Sequence, residues 1–240
     1  MTAGAELKVV EEEGRVIALR TGPLVSCRGV TRTYGHGRTA TLALHATDCE
    51  IERGARIAMT GPSGSGKSTL LHLMAGLDEP TSGEVSWPGL GGRLALRPGP
   101  LAMVFQGPSL LPPLSVLEND ALPLQLAGIR ADEATAEALR ALARLDLADL
   151  AEKLPEEISG GQAQRVAVAR VLASRPRLIL ADEPTSQLDR SNGAHVIDVL
   201  IEAADTLQAA LLISTHDHAI ADRFTTRWTV ADGTVRSTRC

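Results

Sequence analysis

The stretch that most constrains this chain is Gly61-Pro62-Ser63-Gly64-Ser65-Gly66-Lys67-Ser68-Thr69. It has the spacing of a phosphate-binding P-loop: a glycine, four residues, then Gly-Lys-Ser. Ile57-Ala58-Met59 before it reads as a short buried strand, and Leu70-Leu71-His72-Leu73-Met74-Ala75 after it reads as the first turns of a helix. Glycines let the backbone curl so that successive N–H groups point at one anion. The helix behind the loop adds the positive end of its dipole. Lys67 is then placed to reach the β- and γ-phosphates of a nucleotide, and the Ser68 hydroxyl to ligate Mg2+.

The totals limit what surrounds such a loop. A chain of 240 residues holds one large domain or two small ones with a real core. Aromatics make up 2%, so that core must be built from Leu, Val, Ile and Ala. The net charge of −5 and the absence of a Lys/Arg tract argue against nucleic acid as the main partner, since phosphate backbones need a basic face. Cys27, Cys49 and Cys240 have no metal-type spacing and read as reduced thiols of a cytosolic protein, with Cys27 and Cys49 buried. Residues 1–20 carry Glu11-Glu12-Glu13 and no signal-type apolar region. No apolar run is long enough to span a bilayer, so any membrane component is expected in another chain.

Along the chain, residues 1–22 read as loosely organised, with Val16–Leu19 available as an edge strand. Strands are expected at Leu24–Val30, at a pair around Thr41–Ala46 and Cys49–Ile51, and at Leu101–Phe105, Leu178–Ala181 and Ala210–Ser214. Residues 80–100 are rich in Gly and Pro and read as turns and short strands. Val116–Gly128 and Asp132–Leu154 read as helices, with Leu139, Leu142 and Leu145 on one face, and this Leu/Ala-rich stretch looks like a subdomain. Further helices are expected at Ala163–Ser174 and Asn192–Leu207, and a closing hairpin at Asp232-Gly233. Strands alternating with helices predict an α/β sheet, whose ligands sit at the carboxyl ends of the strands. Gly61, Gln106, Asp182 and His216 each stand at such an end.

Their chemistry is coherent. Asp182 is where a P-loop NTPase places the carboxylate that holds Mg2+. Glu183 is free to polarise a water for attack on the γ-phosphate. Two adjacent carboxylates at a buried strand end are unfavourable unless a cation or water uses them. Gln106 can offer its amide oxygen to Mg2+ or the attacking water, and His216 can contact the γ-phosphate. Ser159-Gly160-Gly161-Gln162 opens a helix and forms a second anion site. Two phosphate-binding helix N-termini in one chain suggest a two-fold dimer in which each second site covers the partner's P-loop. Tyr34, the only tyrosine, lies in a Gly-rich turn; it is equally readable as an adenine-stacking ring or a surface turn residue.

Together these motifs resemble the nucleotide-binding subunit of an ABC transporter, over about Leu24 to Gly233. Residues 61–69 match the Walker A motif and Gln106 the Q-loop; Ile158–Gln162 match the family signature with Ile in place of Leu. Leu178–Asp182 match Walker B, with Glu183 as the catalytic glutamate. Ser186–Asp189 resemble the D-loop, bringing Asp189 into the nucleotide site, and His216 the switch histidine. Tyr34 falls at the adenine-stacking position. The resemblance implies residues 23–240 as one ABC ATPase domain, with a RecA-like core, an antiparallel β subdomain and a helical subdomain at about 107–175. It implies ATP and Mg2+ as cofactors, a head-to-tail homodimer and a separate transmembrane permease, with the ATPase peripheral on the inner face of the cell membrane. Phe105-Gln106, Leu110-Leu111-Pro112 and Val116-Leu117-Glu118-Asn119 resemble the branch of macrolide exporters and lipoprotein-releasing ATPases, implying export, extrusion or mechanotransmission. The alternative is a soluble ABC-type ATPase of translation or DNA repair, disfavoured by a single domain without a long coiled-coil insertion. Two departures stand out: a Gly/Pro-rich 83–101 that suggests a trimmed β region, and acidic Pro155-Glu156-Glu157 before the signature, which suggests altered partner specificity.

Overall fold

The computed structural model describes residues 7–12, 15–20, 22–107 and 109–239. Strands β1 (Leu7–Glu12) and β2 (Arg15–Arg20) pair antiparallel in a two-stranded sheet of their own. Val16–Leu19 therefore pairs with β1, Val16 opposite Glu11 and Leu19 opposite Lys8, rather than extending a larger sheet. Residues 1–6, 13, 14 and 21, and with them part of the expected loose segment, lie outside the described residues, as does Cys240.

Strands β3 (Val25–Tyr34), β4 (Thr41–Ile51) and β6 (Ser82–Ser86) form a three-stranded antiparallel sheet in the order β4-β3-β6. The two strands expected between Thr41 and Ile51 are one. Its partner β3 absorbs the irregularity through register shifts between Cys27 and Val30 and between Val30 and Thr33. Gly29, at φ 56°, sits in the first shift, and its N–H donates to Asp48 Oδ1 at 2.8 Å. Cys27 is buried and lies opposite Cys49, which is only partly buried; both are free thiols. Between Trp87 and Pro100 the only regular element is a 3-10 turn at Arg93–Ala95, and the Trp87 indole anchors the stretch by donating to the Met74 carbonyl at 2.7 Å.

The larger sheet comprises β5 (Arg56–Thr60), β7 (Leu101–Val104), β8 (Leu178–Asp182), β9 (Ala210–Ser214), β10 (Thr226–Ala231) and β11 (Thr234–Arg239). Its order is β11-β10-β5-β9-β8-β7, parallel except for the β10–β11 hairpin. The four neighbouring strands β5, β9, β8 and β7 are apolar on both faces, as strands buried between two layers must be, whereas β10 alternates buried and exposed residues and β11 is largely polar. Successive side chains alternate between two cores. Ile57, Met59, Leu101, Met103, Leu178, Leu180, Ala210 and Leu212 belong to one, with helix α1 (Lys67–Met74) and the three-stranded sheet. Ala58, Ala102, Val104, Ile179, Ala181, Leu211 and Ile213 belong to the other.

That second core takes in the helical layer: α2 (Val116–Leu126), α3 (Ala131–Ala143), α4 (Gly160–Ala173) and α5 (Arg190–Thr206). A short α6 (His218–Ala221) follows β9. Helix α3 stops well before Leu154. Asp146 adopts φ 54°, and the Leu147 N–H reaches back to the Leu142 carbonyl at 3.0 Å, a left-handed C-terminal cap. The buried face of α3 is Ala134, Ala138, Ala141 and Leu142; Leu139 is exposed, and Leu145 is buried beyond the helix end. Among the described residues, no helix is long and apolar enough to cross a membrane.

Candidate nucleotide site

Four neighbouring parallel strands, β5, β9, β8 and β7, finish on one edge of the large sheet. Their order in space brings together residues that are far apart in sequence. Beyond β5 the loop 61–66 wraps into α1. Gly66 is the residue before that helix and has φ 104°; a Cβ there would lie 2.5 Å from the Ala43 carbonyl oxygen. At Gly61, φ 153°, a Cβ would lie 2.0 Å from the Val230 carbonyl oxygen. Both positions thus require glycine for shape as well as torsion. Lys67 is buried and arches back over the loop, its Nζ donating to the Gly61 and Pro62 carbonyls at 2.9 and 3.0 Å.

A cavity of about 440 Å³ opens above this loop. Gly61, Pro62, Ser63, Gly64, Gly66, Lys67, Ser68 and Thr69 line it from below, and Ala43, Gln106, Glu183 and His216 from the sides. Ser65 points inward and is buried; its backbone carbonyl accepts from the Gly233 N–H at 3.0 Å. Glu183 stands between two cationic or potentially cationic groups. One carboxylate oxygen is 3.3 Å from His216 Nδ1 and the other 3.9 Å from Lys67 Nζ. Its backbone is in the left-handed region, φ 42°, unusual for a residue with a Cβ. Ser214 holds it there: the Glu183 N–H donates to the Ser214 hydroxyl at 2.9 Å and to its carbonyl at 3.2 Å.

Asp182 is almost fully buried behind this wall and does not line the cavity. Its Oδ1 accepts the Ser214 hydroxyl at 2.5 Å. Ser68, Gln106 and Asp182 offer only oxygen donors, the set a hard divalent cation prefers. Among the described residues no group of three or more His, Cys, Asp and Glu side chains is placed to hold a metal ion by itself. The donors present suit a cation held chiefly by phosphate oxygens and a few protein groups.

The second predicted site is separate. Ser159 caps α4 and closes a reciprocal box with Gln162: the Gln162 N–H donates to Ser159 Oγ at 3.2 Å, and the Ser159 N–H to Gln162 Oε1 at 2.8 Å. Ser159, Gly161, Gln162 and Asp189 share a pocket of about 250 Å³ with Arg165, Gln187, Leu188 and Asn192. It has no lining residue in common with the P-loop cavity. Gly160 is packed against Gln187, where a Cβ would meet its Oε1 at 3.1 Å. Asp189 caps α5, accepting from the N–H groups of Ser191 and Asn192 at 2.9 and 3.0 Å. Those bonds and that of the Asn192 side chain hold its carboxyl below the usual range.

Tyr34 lies at the end of β3, exposed, outside the P-loop cavity. The Arg32 guanidinium sits 4.5 Å from the ring centroid, and the hydroxyl donates to Asp78 Oδ2 at 2.9 Å. Arg32 also pairs with Asp78 at 2.8 Å. Burial opposes ionisation of Asp78, but the Glu79 N–H, Tyr34 and Arg32 together keep its carboxyl below the ordinary range. The ring is therefore fixed on one side by a cation and at its tip by an acid.

Some contributors give no sequence signal. Ala43 enters the cavity wall from β4 because its carbonyl abuts Gly66, a backbone contact that no side-chain pattern encodes. Ser214 did carry a trace, a polar residue ending an apolar strand. Gln164, fully buried on α4, donates to the Phe105 carbonyl at 3.1 Å, and the Ser186 hydroxyl to the Gln106 carbonyl at 3.3 Å. These bonds hold the Gln106 loop from both flanks.

Residues 44–186 match the ABC transporter family. The chain is 41% identical over 207 residues to the lipoprotein-releasing system ATP-binding protein LolD of Legionella pneumophila (strain Paris), covering 83% of this chain and 91% of that one. It superposes on the dimeric post-hydrolysis structure of the ATP-binding cassette MJ0796 bound to ADP and Pi with a TM-score of 0.84, at 35% identity, covering 90% of this chain and 98% of that one. It superposes on cbiO1 of Clostridium perfringens, part of the ABC transporter complex cbiONQ, with a TM-score of 0.76, at 27% identity over 90% and 88%. These matches favour a transport cassette over an ATPase of translation or DNA repair. The P-loop edge, the separate signature pocket and this similarity over most of the chain lead to one statement: the chain belongs to the ABC transporter family, as an ATP-binding, ATP-hydrolysing cassette.

Proposed function

We propose that this cassette binds Mg-ATP at the 61–69 loop and hydrolyses it with Glu183 as the general base, within a head-to-tail homodimer that drives a separate membrane permease. The observation that carries the reading is the position of the Glu183 carboxylate, on the wall of the P-loop cavity and between His216 and Lys67. The loop N–H groups and Lys67 bind the phosphates. Lys67 must first leave the Gly61 and Pro62 carbonyls, which hold it in their place. Glu183 takes a proton from the attacking water as His216 steadies that carboxylate and faces the γ-phosphate. Gln106, also on the cavity wall, orients the same water. Ser68, Gln106 and Asp182 would hold Mg2+, which, when bound, neutralises charge on the β- and γ-phosphate oxygens. Tyr34, stiffened by Arg32 and Asp78, offers its ring to the adenine. Ser159 to Gln162 and Asp189 of the second copy complete the pocket, which agrees with their separation from the P-loop cavity within one chain.

The relatives named above support a permease partner and a peripheral position on the inner membrane face. So does a groove of about 590 Å³ between β7, α2 and α4, floored by Met103, Phe105, Leu122 and Ile129, with Leu77 and Leu126 exposed at its edge. Similarity to LolD favours a lipoprotein-releasing permease as the partner.

Glu183→Gln keeps the side-chain shape and removes the base. It is expected to bind ATP normally and to hydrolyse it at least ~10-fold more slowly. Phosphate release measured with Mg-ATP, with and without a chelator, checks both parts. Near-normal turnover in Glu183→Gln excludes this base, and turnover that survives chelation excludes the cation.

A further inference from the structure

Helix α2 carries a buried acid that the proposed chemistry does not use. Val116, Asp120 and Leu124 follow one another at four-residue spacing along the stripe that packs into the helical core. Val116 and Leu124 belong there. Asp120 has no solvent exposure, and neither of its carboxylate oxygens has a hydrogen-bond partner among the described residues. An unpaired buried carboxyl is strongly disfavoured. The charged group it feels is Arg170, on α4, and the two do not form an ion pair. Burial pushes the Asp120 carboxyl well up, against the pull of Arg170.

Arg170 is engaged elsewhere. Its two terminal nitrogens donate to the carbonyl and the hydroxyl of Ser109, both at 2.7 Å. Ser109 lies three residues beyond Gln106, in the loop that delivers Gln106 to the nucleotide cavity. The same loop is held at Phe105 by Gln164, about one and two-thirds turns earlier on α4. Helix α4 also begins at Ser159, in the signature pocket. One helix thus joins the signature pocket to the loop of Gln106, and Arg170 is its outer clamp.

We propose that Arg170 is a positioning residue with two alternative partners, Ser109 and Asp120. With Arg170 on Ser109 the Gln106 loop is held as described here, and Asp120 is left unpaired. With Arg170 on Asp120 the buried acid is satisfied and the Ser109 end of the loop is released, while Gln164 and Ser186 keep their bonds to Phe105 and Gln106. Asp120 lowers the energy of the released state, so the loop is poised rather than locked. This inference rests on the ATPase reading and deepens it. Arg170 also lines the apolar groove, where an occupant would reach the same clamp.

Two partners competing for one guanidinium give non-additive effects, whereas unrelated structural roles add. The test is steady-state Mg-ATP turnover by the full chain. Ser109→Ala removes one of the two bonds and is expected to lower kcat about 3-fold, with KM for ATP unchanged within about 2-fold. Adding Asp120→Val, which removes the competitor, is expected to restore kcat to wild type. Arg170→Met is expected to lower kcat at least ~10-fold, to abolish both effects, and to be partly rescued by Arg170→Lys. Circular dichroism and thermal melts establish folding, and Asp120→Asn replaces Asp120→Val if the latter is unfolded. If Asp120→Val and Asp120→Asn leave the Ser109→Ala defect untouched, the alternative partnership is wrong. Wild-type protein without ATP turnover would instead overturn the ATPase reading itself.

Discussion

Single atoms decide the shape of the phosphate loop. At Gly66 a methyl group would stand 2.5 Å from the Ala43 carbonyl, on a backbone at φ 104°. Gly66→Ala is expected to destabilise the protein by about 2–3 kcal/mol, a fall of about 5–10 °C in Tm at this chain length. Differential scanning calorimetry checks it, and an unchanged Tm would show that the loop has room the geometry denies. Lys67→Ala removes the buried ammonium without that steric penalty and is expected to weaken ATP affinity at least ~10-fold. Equilibrium binding of a fluorescent ATP analogue measures it directly. At this scale the sequence was legible where chemistry follows residue type. Gly61, Gln106 and His216, three of the four residues expected at strand ends, line one cavity with Lys67 and Glu183, whereas the fourth, Asp182, is buried behind its wall. The sequence was illegible where a backbone atom does the work, as at Ala43, and faint where a residue serves only another residue, as Ser214 serves Asp182 and Glu183.

Elements were readable to the extent that their apolar pattern fits one period. The strands β5, β7, β8 and β9 stand out because both faces are buried. Helix α3 did not end where its pattern did: Leu145 is buried, but by the chain that follows the cap at Asp146. A left-handed aspartate is a weak signal, since glycine is the usual residue there. The strand break expected between Ala46 and Cys49 vanished for a related reason, because bulges in β3 accommodate it. Helix α4 does more than pack: its N-terminus borders a pocket that shares no lining residue with the P-loop cavity. Ser159→Arg fills that pocket and leaves the P-loop alone. ATP binding by the monomer is expected to stay normal, and ATP-dependent dimers to disappear in size-exclusion chromatography coupled to light scattering. Dimers that persist with ATP would remove the signature pocket from the interface.

For the whole molecule, two cores on either side of one sheet are joined by strands that contribute alternate residues to each. Ligand bound at the strand ends touches elements from both. Saturating ATP at 100 times its Kd should add about 2.7 kcal/mol, raising Tm by about 5–10 °C. In the Glu183→Gln variant, where ATP persists, this shift should also grow with protein concentration as dimers form. A shift independent of protein concentration would mean that the nucleotide stabilises the monomer alone. Glu183, one of five described non-glycine residues at positive φ, is the one of them that lines the P-loop cavity. Its left-handed backbone stores about 1–2 kcal/mol of strain, which glycine at the same position would release. Selection for heat resistance alone would therefore favour Glu183→Gly, which on the proposed role of Glu183 enriches sturdier cassettes without ATP turnover; phosphate release by Glu183→Gly checks it. If Glu183 is the base proposed above, thermal hardiness and turnover compete at its torsion angle, so directed evolution of this chain for stability must be screened for activity at every round.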